Sequence, residues 1–333
     1  MDKTGVEEIE TLAKGLINSY LGKVELYFLR YGEQTVREEG TEEAKKVPKP
    51  VFYEAEIERD VQKQLLDIFL HNIEYYKELS DNILPYDIVD KENDVLANLP
   101  TDTFTNVNDL MTIIKNKTGF INSLNKLNLN SVVCFCARIE LAEDKYVYYF
   151  GRIDKFTRLK KGFFANISNS AVEKLELGKF FGFINFIIFF EYEDELLIKN
   201  QDNFNTVFKM KDFFEAKAIP ILDIIESKGK VSGEDIIALK ELCSRDSRVA
   251  KRIMKLGTDE EKINIFFENL GNESFQEIIN DPFFREKFGT LSYEDDKITC
   301  SSTKTDVYYR ELAMFIRDTA SRAVISRMPS ISD

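Results

Sequence analysis

The stretch that decides the fold is FFGFINFIIFFEYED, residues 180–194, followed closely by LLIKN, residues 196–200. The apolar part is too short to span a bilayer, and its aromatic and β-branched residues favour a strand over a helix. The carboxylates between the two apolar runs predict a solvent-exposed turn. We therefore predict a β-hairpin with an acidic tip in the core of the protein.

Periodicity on either side of this hairpin predicts the remaining architecture. SVVCFCARIEL and KYVYYFGRI, from residue 131 onward, alternate as a second antiparallel hairpin, whereas a helical period dominates from residue 211. The predicted fold is α+β, with an N-terminal α/β part, a central antiparallel sheet and a helical C-terminal part. The corresponding domains are an N-terminal α/β domain over residues 1–130, a central antiparallel β region over residues 131–210 and a helical C-terminal region over residues 211–333.

Three shorter segments carry predictions of their own. Residues 55–79 have a helical period and predict one long helix. Residues 33–50 are charged and end in VPKP, which predicts a loop or linker. Residues 204–210, FNTVFKM, predict a short edge strand after a turn at residues 200–203.

Composition argues against several classes of function. His71 is the only histidine, and no Ser or Cys nucleophile motif accompanies it, so Ser-His-Asp and Cys-His enzymes are not expected. Cys134 and Cys136 share one strand face without further ligands at zinc-site spacing, which predicts two buried core thiols. We predict no catalytic residue, no metal site and no cofactor. The acidic N-terminus lacks the features of a secretory signal, so we expect a cytoplasmic protein.

Charge is unevenly distributed along the chain. The net charge is −13, and residues 51–110 hold 14 Asp and Glu against 4 Lys and Arg, a net charge of −10. The other 273 residues share the remaining −3, so basic patches can survive there despite the acidic total.

Two basic clusters stand out from this background. The loop cluster follows KYVYYF, has a net charge of +4 in ten residues, and interleaves phenylalanines. The helix cluster lies in SRDSRVAKRIMKL, residues 244–256, where helical spacing predicts a basic face about 120° wide. Such cations suit contact with DNA phosphates, and a solvated polar face is the alternative. The loop cluster consists of Arg152, Lys155, Arg158, Lys160 and Lys161, and the helix cluster of Arg245, Arg248, Lys251, Arg252 and Lys255.

Three segments, taken in order, resemble the KwaB family of the Kiwa anti-phage defence system, which is part of a larger domain-of-unknown-function family. They are YYFGRIDKF (148–156), GFINFIIFFEYEDELLIKNQDNFNTVF (182–208) and MKDFFEAKAIPILDII (210–225). The shared pattern is an apolar strand, an acidic turn, a second apolar strand and two phenylalanines, Phe204 and Phe208, leading into a helix. These are packing residues, so the resemblance transfers no catalytic residue.

The resemblance implies a cytoplasmic effector that binds phage DNA through backbone contacts. It also implies recruitment to the inner membrane by the membrane protein KwaA, and we expect a homo-oligomer, a dimer. The acidic stretch then becomes a candidate docking surface for KwaA, with ordinary solubility as the alternative. Two other functions stay open: a metal-dependent nuclease of the same pathway, and a scaffold that binds only the membrane partner. The candidate docking residues are Asp87, Asp90, Glu92 and Asp94.

Overall fold

The computed structural model describes residues 1–37, 44–86, 95–154, 165–168, 171–174, 181–256, 282–294, 297–300 and 303–325. Its contacts divide the chain into two compact units, residues 1–208 and residues 209–333. The first unit contains a mixed eight-stranded sheet with helices, and the second is mainly helical with one small hairpin. The predicted α+β class with a helical C-terminal part is confirmed.

The first unit is built on one large sheet. Its strands are β1 (Val24–Arg37), β2 (Ala44–Ala55), β3 (Ile83–Pro85), β4 (Leu96–Pro100), β5 (Val132–Ala142), β6 (Lys145–Asp154), β9 (Gly182–Tyr192) and β10 (Glu195–Ile198), while β7 (Ala165–Ser168) and β8 (Ala171–Lys174) form a separate hairpin. The order is β2-β1-β5-β6-β9-β10-β4-β3, and all neighbours pair antiparallel except β3 and β4, which are parallel. Strands from both sides of residue 130 therefore share this sheet.

Helices cover both faces of the sheet. They are α1 (Lys3–Gly15), α2 (Arg59–Leu79), α3 (Thr105–Lys115) and α4 (Gln201–Val207). The predicted hairpin forms β9 and β10, and Phe189 and Phe190 of β9 are both 0 % exposed. Their side chains point to opposite faces, as residues alternate along a strand. The ring of Phe190 lies 5.1 Å from that of Tyr76 on α2, and the ring of Phe189 lies 5.1 Å from that of Phe204 on α4. Burial on both faces explains the uninterrupted apolar run IIFF at residues 187–190.

Two segments differ from their predictions. Residues 204–210 do not form an edge strand, because α4 begins at Gln201 and its Asn200 cap accepts the Asn203 N–H at 3.0 Å. The rings of Phe204 and Phe208, one helical turn apart, lie 4.7 Å from each other. The predicted loop over residues 33–50 is also wrong for its described part, because its residues extend β1 and β2 as a paired ribbon.

The second unit packs helices around its own core. Its elements are α5 (Met210–Ser227), α6 (Gly233–Arg245), α7 (Ser247–Met254), α8 (Pro282–Lys287) and α9 (Asp306–Ile325), with β11 (Leu291–Glu294) pairing β12 (Lys297–Cys300). Apolar residues from four helices are buried to within 1 % exposure, among them Ile221, Leu239, Ile253 and Leu312. Across the residues that the structure describes, no helix combines the length and apolar content needed to cross a bilayer.

Candidate nucleic-acid interface

The helix cluster lies at the junction of α6 and α7. Arg245 ends α6, Asp246 adopts an extended backbone conformation (φ −122°, ψ 100°), and α7 begins at Ser247. Asp246 caps α7, because its Oδ1 accepts the backbone N–H of Arg248 at 3.0 Å. The expectation that the cations of the cluster share one helical face is therefore wrong for Arg245, which belongs to the preceding helix.

The five cations of the helix cluster differ in exposure. The side chains of Arg245 and Arg248 are 63 % and 58 % exposed, and Lys255 is also exposed. Arg252 is half-buried, and Lys251 is only 9 % exposed. Arg245, Arg248 and Lys255 are therefore the cations of the cluster that reach solvent. Arg245 also lies 3.8 Å from the exposed carboxylate of Asp306.

Asp246 links this junction to α9. Its carboxylate accepts hydrogen bonds from Nε of Arg248 at 3.3 Å and from Nε of Arg310 at 3.2 Å. Burial raises the pKa of Asp246, but the hydrogen bonds and charges of the two arginines outweigh it and hold that pKa below its ordinary value. Arg310 is not predictable from the sequence as a member of this group, because it lies 64 residues from Asp246 and no periodicity connects them.

Most of the other predicted contact residues fall outside the described part of the chain. Arg152 of the loop cluster lies exposed on β6, in the first unit. The structure thus brings together the helix cluster and Arg310 within the second unit. The residues outside the described part are Lys155, Arg158, Lys160 and Lys161 of the loop cluster, and the docking candidates Asp87, Asp90, Glu92 and Asp94.

The carboxylates near the β9–β10 turn include a buried one. Glu191 is 1 % exposed, whereas the side chain of Asp194 is 79 % exposed. The expectation of a wholly solvated acidic tip is therefore wrong for Glu191. The turn itself is formed by Glu193 and Asp194, which have positive φ angles of 50° and 64°, and this leaves Glu191 inside β9. Lys115 Nζ lies 2.8 Å from Glu191 Oε1 and 2.6 Å from Asp194 Oδ1.

Burial and pairing act in opposite directions on this cluster. Burial raises the pKa of Glu191, and the charge of Lys115 offsets only part of that rise. Burial lowers the pKa of Lys115, but Glu191 and Asp194 outweigh it and raise that pKa above its ordinary value. Lys115 therefore forms ion pairs with both carboxylates. In the described ranges, no three His, Cys, Asp or Glu side chains form a group that could hold a metal ion.

A row of polar side chains extends from Glu191 across the sheet. Strand register places Glu25 of β1, Arg138 of β5, Tyr148 of β6 and Glu191 of β9 side by side. Arg138 Nη1 lies 2.9 Å and Lys117 Nζ 3.1 Å from Glu25 Oε2. Burial raises the pKa of Glu25, but hydrogen bonds from its neighbours outweigh this effect and hold the pKa below its ordinary value. Arg138 and Lys117 both pair with Glu25, so the charges at this end of the row are held in ion pairs.

The single histidine lies at the surface, and two neighbouring free cysteines lie in the core. His71 lies exposed on α2. Cys134 and Cys136 are both 0 % exposed, and burial raises the pKa of each thiol. The prediction of buried core thiols is confirmed, and both cysteines are poor nucleophiles in the folded protein.

One comparison with known proteins identifies the family. A family model described as "Kiwa protein KwaB-like" matches residues 129–309, which is more than half of the chain. The chain belongs to the KwaB-like family. This membership suggests a component of the Kiwa anti-phage defence system, which includes other Kiwa components. No curated protein and no solved structure matches the chain. The KwaB-like match includes Glu191, Asp246 and Arg248, whereas Lys115 and Arg310 lie outside it.

Proposed function

We propose that this KwaB-like protein binds DNA through its phosphate backbone as an effector of Kiwa defence. The observation that carries the proposal is the pair of exposed guanidiniums, Arg245 and Arg248, at the α6–α7 junction, with Arg310 beside them. These cations stand out in a chain with a net charge of −13. Arginine forks fit phosphate oxygens, and backbone contacts do not require a particular base sequence.

Salt dependence provides the test. We would titrate two duplexes of unrelated sequence by fluorescence anisotropy at several salt concentrations, with the parent and with a variant carrying Arg245→Gln, Arg248→Gln and Lys255→Gln. The variant should bind both duplexes more weakly, and its logarithmic salt slope should be shallower by about 0.9 for each lost phosphate contact. The control is a second variant in which three other exposed lysines are changed to Gln, so that its net charge equals that of the junction variant. The control positions are Lys211, Lys217 and Lys297.

Equal loss of affinity in the two variants would show that only net charge matters, and the junction would then not be the DNA site. An unchanged affinity in a folded junction variant would have the same consequence. No binding of either duplex by the parent would reject DNA binding itself.

A metal-dependent nuclease is the second candidate, because Glu191, Asp194 and Lys115 bring two carboxylates and a lysine together. We favour binding without cleavage, because Lys115 lies within 2.8 Å of both carboxylates and Glu191 is only 1 % exposed, so the two do not form an open pair for Mg²⁺. Parent protein incubated with duplex and single-stranded DNA plus Mg²⁺ or Mn²⁺ should leave both intact. Cleavage that disappears in Glu191→Gln, but persists in the junction variant at saturating protein, would establish the nuclease instead.

The family also motivates a proposal for partner and place. The protein would act in the cytoplasm as a dimer and would be recruited to the inner membrane by KwaA. Its acidic contact residues would be Asp87, Asp90, Glu92 and Asp94, since cytoplasmic loops of membrane proteins tend to be basic. Changing these four residues to Asn or Gln should reduce capture by membranes that contain the partner. If the neutralised protein is retained as well as the parent, this stretch contributes only solubility.

A further inference from the structure

Two arginines from different helices converge on one carboxylate in the second unit. Asp246 Oδ2 accepts from Nη2 of Arg248 at 3.4 Å and from Nε of Arg310 at 3.2 Å, so both guanidiniums contact the same oxygen. Each guanidinium uses its Nε–Nη2 side for this carboxylate. Because the group is planar, Nη1 lies on the far side of each one. Within the described residues, the Nη1 atoms of Arg248 and Arg310 have no hydrogen-bond partner.

The exposures place the carboxylate beneath the two cations. The side chain of Asp246 is 11 % exposed, whereas those of Arg248 and Arg310 are 58 % and 43 % exposed. An anion arriving from solvent therefore meets guanidinium groups before it meets the carboxylate. The three charges sum to +1, and the carboxylate offsets the repulsion that would otherwise separate two neighbouring arginines. Two adjacent forks with accessible outer edges are suited to the oxygens of one phosphate group.

We propose that Arg248 and Arg310 form one phosphate-binding pair and that Asp246 is its positioning residue. The proposal rests on the DNA binding proposed above, and it adds Arg310 to that interface. By holding two long side chains in place before DNA arrives, Asp246 reduces the conformational entropy that binding removes. The same chemistry would accept a free polyphosphate anion.

Asp246→Asn tests the positioning role through the sign of its effect. Asn is as good an N-cap as Asp, so α7 should be retained while the negative charge is lost. If Asp246 merely repels or competes with phosphate, its neutralisation should tighten DNA binding. If it positions the pair, binding should weaken by about threefold to tenfold, because two arginine side chains lose their fixed orientation.

Asp223→Asn is the matched control for this variant. Asp223 is 58 % exposed and pairs with Lys240 at 2.6 Å in the same unit, so the change in net charge is identical. We expect this control to bind DNA as tightly as the parent or slightly more tightly. Binding by Asp246→Asn that equals or exceeds that of the parent would overturn the positioning role.

Arg310→Gln tests the phosphate-binding pair independently of Asp246. It remains a valid test of the pair if Asp246→Asn does not fold. It should weaken binding by about tenfold, as expected for loss of one charge-assisted contact. Arg310→Lys keeps the charge but not the fork, so it should recover only part of this loss. Parent-like affinity in Arg310→Gln would remove Arg310 from the interface.

A second probe separates this inference from the proposed function. Tripolyphosphate should raise the thermal unfolding midpoint of the parent more than that of Arg310→Gln. If the parent binds no duplex but shows this difference, DNA binding fails and the phosphate-binding pair stands. If the parent binds duplex, while Arg310→Gln matches it in both assays, the function stands and the pair fails.

Discussion

Replacement of Lys115 by Met should leave the buried Glu191 carboxylate without its cationic partner. Lys115 Nζ lies 2.8 Å from Glu191 Oε1, and the two side chains are 30 % and 1 % exposed. Removal of one partner from a buried pair commonly destabilises a protein by about 3–5 kcal/mol. We expect about 3 kcal/mol here, the lower end of that range, because the lysine reaches solvent. Asp194 adds little, since its side chain is 79 % exposed.

The loss should depend on pH in a defined direction. Burial already raises the pKa of Glu191 above 4.5, and loss of the lysine should raise it further. Between 4.5 and that raised pKa, the folded state binds more protons than the unfolded state, so stability falls as pH rises. The slope approaches about 1.4 kcal/mol per pH unit for one group in that interval. The variant should therefore lose less stability in mildly acidic buffer than in mildly alkaline buffer.

Urea unfolding followed by circular dichroism in both buffers measures these losses. The chain contains no tryptophan, so far-ultraviolet dichroism is preferable to fluorescence. Adding Glu191→Gln to Lys115→Met should recover at least half of the loss, because Gln removes the buried charge and still accepts the Asp194 N–H. Asp194→Asn is the control and should change stability by less than about 1 kcal/mol. A pH-independent loss, or a double variant no more stable than the single one, would refute this account.

Three further predictions concern the fold. Gly151→Ala should destabilise the first unit by about 1–3 kcal/mol in urea unfolding, because its Cβ would lie 2.4 Å from the buried Phe135 ring, whereas Gly15→Ala, with open space around it, should not. Asn200→Ala should cost about 1 kcal/mol through loss of the α4 cap, and Asn200→Asp should restore most of it; equal stability of all three proteins would reject the capping role. Iodoacetamide should label the half-buried Cys300 faster than the buried Cys134 and Cys136 in native protein, as mass spectrometry of peptides can show.

Local patterns were sufficient for much of the fold but not for the charged sites. The apolar runs of β9 and β10 and the long period of α2 were predictable, because each element carries its own pattern. The prediction of an edge strand at Phe204 and Phe208 was wrong, because residues four apart share one face of a strand as well as one face of a helix. The distant partners of Lys115 and Asp246, Glu191 and Arg310, were not predictable. Glu191 lies 76 residues from Lys115, and only the sheet topology brings them together.

Ion pairs formed by the acidic stretch, residues 51–110, determine which of its carboxylates could serve in docking. Sequence gives residues 51–110 a net charge of −10, but lysines from outside the stretch approach several of its carboxylates. Glu54 lies 2.8 Å from Lys117, and Asp81 lies 2.8 Å from Lys3. A docking surface must present carboxylates that the protein has not paired internally. Neutralising Glu54 and Asp81 should therefore leave capture by the proposed membrane partner unchanged. If neutralising Glu54 and Asp81 reduces capture as much as neutralising two of the four docking candidates, total charge rather than a defined surface controls recruitment.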